Sequence, residues 1–281
     1  MESDRAAALY DQISLPALSI EIAALVLVVV LPAAAVAGFT AGALRRKALL
    51  AADKEVDQVV GQTTLGAILA LLGLLLAFSF GNALNMSQAR KSAIVNEAAA
   101  LGTAFMRADY LAEPGRTNLQ QAILDYTRTR ILPDEGRIDS LEAAQDFIAH
   151  TLDAQAHLWP LTLEATKDPV PAPIKAFVAG AVNEAVDAHL YRVETLSNPV
   201  SDVTQAMMLA AALIALFLLG NRAGIIGRRL TWRTFVFSGF LFVVMVTIMD
   251  AQRGSEGLVR VDDTALRTTI FDMQKALTDN S

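Results

Sequence analysis

The sequence predicts an all-α membrane protein: four transmembrane helices in two hairpins, with an extramembrane helical domain between spans two and three. Three observations carry this expectation. Apolar stretches cover residues 18–44, 65–84, 203–220 and 235–249, each near the ~20 residues that a helix needs to cross ~30 Å of hydrocarbon. Arg and Lys crowd the two short connections, with Arg45, Arg46, Lys47 and Lys54 in the first and Arg222, Arg228, Arg229 and Arg233 in the second. A 54% hydrophobic share and a mean hydropathy of +0.42 exceed what a soluble domain carries, while 19% charged residues place much of the chain in water.

Residues 1–17 form an acidic, helix-friendly head with Glu2, Asp4, Arg5 and Asp11. Hairpin one occupies 18–86. Its first run is longer than a signal-peptide core and is followed by Arg45-Arg46-Lys47 in place of a cleavage site, so it reads as a retained anchor. The extramembrane domain, 87–202, begins as a continuation of span two. Residues 87–110 contain no Pro and place Ile94, Val95, Ala98, Leu101 and Phe105 at helical spacings, until Glu113-Pro114-Gly115 ends the helix. A second helix fits 117–132, with Ile123, Tyr126, the Arg130 stem and Ile131 toward one side, stopped by Pro133-Asp134-Glu135-Gly136. Asp139 and Glu142 have capping-box spacing for a third helix, which Trp159-Pro160 is expected to close near residue 158. The Pro-rich run 168–173 is a stiff connector, and Pro173 suits the first turn of a fourth helix reaching about residue 196. Asn198-Pro199 precedes hairpin two, 203–250, and 251–281 reads as a C-terminal tail.

The absence of cysteine removes disulfides, thiolate metal sites and cysteine nucleophiles, and a net charge of −6 argues against a nucleic-acid partner. No phosphate-cradling Gly-rich loop, HExxH or G-x-S-x-G occurs, so neither an enzyme nor a cofactor is expected. Because cations resist translocation, the Arg-rich loops are placed in the cytoplasm of a bacterial inner membrane, with both termini and the central domain outside. Arg90, Lys91, Arg192 and Arg253 flank the spans on that other side, accompanied by acids.

Span two carries two stripes. Gly66, Ala70, Gly73, Ala77 and Gly81 recur at spacings of three or four, a pattern that lets another helix approach closely. Leu71, Leu75, Phe78, Asn82 and Asn85 form a second stripe that turns from apolar to amide-bearing. An unpaired amide in hydrocarbon costs several kcal/mol, so Asn82 and Asn85 belong against protein, water or the membrane boundary. Two readings stay open: simple hydration at the outer interface, or a pore in which Phe78 and nearby Phe80 form an apolar constriction and the amides donate to anions. Glu97 and Arg107 point some 80° apart and are expected to make separate interhelical contacts. Asp250 and Arg253 suit a surface ion pair or, less simply, an ion-attracting ring; Asp109 and Asp262-Asp263 read as solvated acids in preference to calcium ligands. His150 and His157 share a helical face without a third metal ligand.

Two patches carry a family resemblance. The first is Leu72-Gly73-Leu74-Leu75-Leu76-Ala77-Phe78-Ser79-Phe80, then Arg90, then the run from Asn96 to Asp109 that includes Glu97, Gly102, Thr103 and Arg107. The second is the run from Asp250 to Val261, with Gly257 and Arg260, in which an expected Pro is missing and the turn is longer. Together they resemble the bacterial bestrophin-like family, largely uncharacterised four-span proteins grouped with bestrophin anion channels. The resemblance implies a homo-oligomeric ring, a pentamer in bestrophins, with an anion pore lined by span two and an aromatic neck matching 73–80. It also implies a cytoplasmic helical domain, opposite to the charge count. The expected function is therefore a bestrophin-like anion channel in contact with membrane lipid. The alternative is a non-conducting scaffold or sensor that binds a partner through the helical domain.

Overall fold

Ser19 opens the first helix by accepting the Ile22 N–H on its hydroxyl at 3.4 Å, and the apolar run behind it keeps its backbone bonds internal, as lipid demands. In the computed structural model, which describes residues 19–54, 56, 62–131, 141–167, 169–197, 202–252 and 262–279, this helix is α1, Ile20–Ala51. It is followed by α2 (Gln62–Arg107), a 3-10 turn (Ala108–Tyr110), α3 (Gly115–Thr129), α4 (Leu141–Ala165) and α5 (Ala172–Ser197). Next come α6 (Asp202–Ile226), α7 (Trp232–Gln252) and α8 (Thr264–Asp279), with no strand among the described residues. Helices α1, α2, α6 and α7 are long and apolar enough to cross a membrane. The fourth expected span, 235–249, lengthens to the 21 residues of α7.

The described residues divide into two compact units, one within 19–85 and 202–252 and one within 86–197 and 262–279. In the first, α1 and α6 lie so close that a methyl group on any of four glycines would collide with the facing backbone. Gly38 and Gly42 meet the Phe217 and Asn221 carbonyls, while Gly220 and Gly224 meet those of Ala35 and Phe39. The paired residue numbers rise together, so α1 and α6 are parallel. Each helix supplies a GxxxG motif, the device by which spans associate when lipid removes the hydrophobic drive. This core also contains Leu27 and Leu31 of α1, Leu72 and Leu76 of α2, Met208 and Leu216 of α6, and Leu241, Met245 and Ile248 of α7. Asp250, expected at the surface, is only 5% exposed, and Arg253 lies outside the described residues.

Both parallel helices end with the same device. Lys54 N–H bonds the Leu49 carbonyl (3.0 Å) and Asp53 N–H that of Leu50 (3.2 Å), with Asp53 left-handed at φ 54°. At α6, Arg228 N–H bonds the Ala223 carbonyl (3.0 Å) and Gly227 N–H that of Gly224 (3.1 Å), with Gly227 at φ 77°. These are Schellman motifs, which use up carbonyls that a helix end would leave bare.

In the second unit the core is built by Ile94, Ala98, Leu101 and Phe105 of α2, Leu119, Ile123 and Tyr126 of α3, Leu158 of α4, and Val178, Val182 and Ala185 of α5. Leu266, Ile270 and Met273 of α8 complete it, so the stretch read as a tail contains a packed amphipathic helix. The expected stop at Trp159-Pro160 does not occur. Helix α4 runs through Pro160 to Ala165, because Pro160 lies on the exposed face, where the carbonyl it frees at Ala156 reaches water. Pro173 sits in the first turn of α5, whose Ile174 and Lys175 N–H groups bond the Pro171 carbonyl. The expected cap at Asp139 lies outside the described residues.

Candidate functional site

Span α2 packs within the first unit through Leu65, Leu72, Leu76, Ser79 and Ala83, which follow the helical period. The stripe of Gly66, Ala70, Gly73, Ala77 and Gly81 is not that face: Gly66, Ala70, Gly73 and Ala77 are exposed, Gly81 is half-buried, and a Cβ on any of the three glycines would meet open space. Within the chain, close approach by glycine is made by α1 and α6. The amide-bearing stripe is also outward: Leu71 is 55% and Phe78 70% exposed, Asn82 and Asn85 are exposed, and Leu75 is half-buried. Phe80, 40% exposed, lies about 200° round the helix from Phe78 and so does not share its face.

The second unit is organised around a buried carboxylate. Glu97, fully buried on the Ile94-Ala98-Leu101 side of α2, receives Arg130 Nε on Oε1 and Arg192 Nη1 on Oε2, both at 2.7 Å. His189 Nδ1 lies 3.5 Å from Oε1. Arg192 Nη1 also donates to the Arg130 carbonyl (3.2 Å), and Arg130 Nη1 to Thr151 Oγ1 (3.4 Å). The Tyr126 ring stands edge-on to His189 at 6.3 Å. One carboxylate thereby joins α2, α3 and α5, and Thr151 adds α4. Burial pushes the Glu97 carboxyl up, but the His189 contact and the charges of Arg130 and Arg192 outweigh it and hold the group at about 2. Burial in turn holds the His189 imidazole below its ordinary value, against the pull of Glu97. At neutral pH Glu97 is therefore ionised and His189 neutral. The ionised carboxylate ties the helices together through two guanidiniums, at the desolvation cost that buried charges carry.

Arg130 was legible only as an apolar stem, and His189, Arg192 and Thr151 gave no separate signal as a site. The signal was their position. His189 and Arg192 continue the apolar stripe Val178, Val182, Ala185 of α5, and Arg130 continues Ile123 and Tyr126 of α3.

Glu97 and Arg107 do make separate interhelical contacts. Arg107 Nη1 donates to the Phe177 carbonyl (3.1 Å), and its guanidinium carbon lies 4.2 Å from the centroid of that ring. Arg90 is 4% exposed, with Nε donating to the Thr195 carbonyl (3.3 Å). Gly102 faces Thr269 of α8 at ordinary contact distance, and Thr103 is half-buried. Asp109 accepts from Gln120 Nε2 (2.8 Å), and Asp262 accepts the Thr264 N–H (2.9 Å) at the start of α8. The His150 and His157 rings contact the carbonyls one turn back on α4. Among the described residues no three His, Asp or Glu side chains are grouped to hold a metal ion. Gly257 and Arg260 lie outside the described residues.

The geometry defines a unit of four helices long and apolar enough to cross a membrane and a helical unit built on an enclosed ionic centre. No family model, curated protein or solved structure matches the chain.

Proposed function

We propose that the chain is the subunit of an oligomeric, bestrophin-like ion channel of a bacterial inner membrane, anion-selective, with a shared central pore lined by the apolar half of α2. One observation carries the reading. Within a single chain this span buries only its Leu65-Leu72-Leu76 side, leaving Leu71, Phe78, Asn82 and Asn85 outward and open space beside Gly66 and Gly73. Repeated around a ring, that face would be covered by neighbouring copies and turned toward an axis; a pentamer is the number the resemblance favours. Phe78 then forms the apolar constriction that gates by dewetting, and the amides of Asn82 and Asn85 donate to the passing anion. Parallel α1 and α6 carry both Arg-rich ends to one side, which supports placing the two short loops together in the cytoplasm.

The test is native mass spectrometry of the purified chain in mild detergent, followed by anion flux from proteoliposomes. A closed ring whose flux rises on Phe78→Ala is expected. A monomer or dimer, or flux unchanged by Phe78→Ala, overturns the shared pore and moves the chain to a scaffold or sensor role.

A further inference from the structure

We propose that the first unit holds the headgroup of an anionic phospholipid in a basic pocket between the C-terminal ends of α1 and α6. The cavity, about 200 Å³, is lined by Arg46, Lys47, Arg228 and Arg229, and by Phe39 and Leu50. No acid lines it, and among the described residues none of the four cations is ion-paired. The arrangement is built: at φ 77° Gly227 has no Cβ, and a Cβ there would overlap the Arg46 guanidinium. Four like charges around one small cavity repel one another unless an anion joins them. The helix C-termini are themselves partly negative, which the four cations outweigh, and the Schellman bonds occupy carbonyls of both last turns.

The apolar wall decides which anion. The pocket lies where two membrane-spanning helices pass from apolar to basic sequence, the level at which hydrocarbon gives way to headgroups. Leu50, 56% exposed, lies beside the cations. A free phosphate has no use for Leu50 and Phe39, whereas a lipid places its phosphate on the cations and its chains along the apolar side. The volume is below the ~300–1,000 Å³ of pockets that enclose whole drug-sized ligands, and suits a headgroup alone. Basic pockets of this kind between spans recognise anionic lipid heads. The inference is independent of whether the protein conducts.

Trp232, three residues beyond Arg229 and 70% exposed, supplies the probe. The full chain carrying Trp159→Phe is reconstituted in phosphatidylcholine vesicles doped with either brominated phosphatidylglycerol or brominated phosphatidylcholine, and Trp232 quenching is compared. The anionic lipid should quench in clear preference. Arg46→Gln/Arg228→Gln/Arg229→Gln should lower that preference about tenfold to a hundredfold, while Arg45→Gln/Lys54→Gln, outside the pocket, should leave it. Equal quenching by the two lipids in the parent chain overturns the proposal, as does an equal loss in both variants, which marks general surface charge. Displacement by inorganic phosphate overturns it in favour of a soluble anion.

Discussion

Replacing Glu97 by Gln keeps the side chain's shape and removes its charge, leaving Arg130 and Arg192, 4% and 5% exposed, without the anion between them. A carboxyl that ionises at about 2 in place of 4.5 contributes about 3 kcal/mol at neutral pH. Removing one partner from a buried ion pair costs about 3–5 kcal/mol, a second route to the same size. The expected loss of about 3 kcal/mol is roughly a hundredfold in the folding equilibrium. The assay is denaturant unfolding of the full chain in mild detergent, followed by Trp159 of α4 in a Trp232→Phe background, so that the signal reports the helical unit. A loss below about 1 kcal/mol would refute the argument that Glu97 neutralises two buried guanidiniums. The triple variant Glu97→Leu/Arg130→Met/Arg192→Met removes all three charges at similar volume and should recover most of the stability. A triple variant as unstable as Glu97→Gln would show that charge compensation was not the source of the loss.

The same centre should make stability fall with acid in two stages. His189 is held below 6.5 in the fold, so as pH drops past 6.5 the unfolded chain takes up a proton that the folded chain refuses. Glu97 then gives up its contribution as pH falls from 4.5 toward about 2, a stage that pH-dependent unfolding should find missing in Glu97→Gln. Gly38→Ala should destabilise the membrane unit by about 1–3 kcal/mol, since the new methyl meets the Phe217 carbonyl, whereas Gly66→Ala meets nothing within the chain; thermal unfolding in detergent compares them. Gly227→Ala should cost about 1 kcal/mol in that assay, because its φ of 77° is unfavourable for a residue with a Cβ and the Arg46 guanidinium stands in the way.

Four helices long and apolar enough to cross a membrane, the basic character of the two short connections and the helical nature of the region between the second and third of them were all readable along the chain. Hydrophobicity, length and punctuation are local properties, and a backbone in lipid has few alternatives to a helix. Local rules also placed Pro173 in a first turn. They failed at Pro160, because whether a proline ends a helix depends on which face it occupies, and that face is chosen by packing. Packing selected the glycines that bring two helices of this chain together. Both α1 and α6 contain GxxxG and α2 has its own small-residue stripe; what distinguishes them is which backbone lies opposite, a fact no single helix contains. For the same reason Glu97 was legible as a contact but not as the common partner of Arg130 and Arg192, which lie 33 and 95 residues away along the chain. Charge on an apolar stripe says that a side chain must be neutralised, and only the packing of the helices says by what.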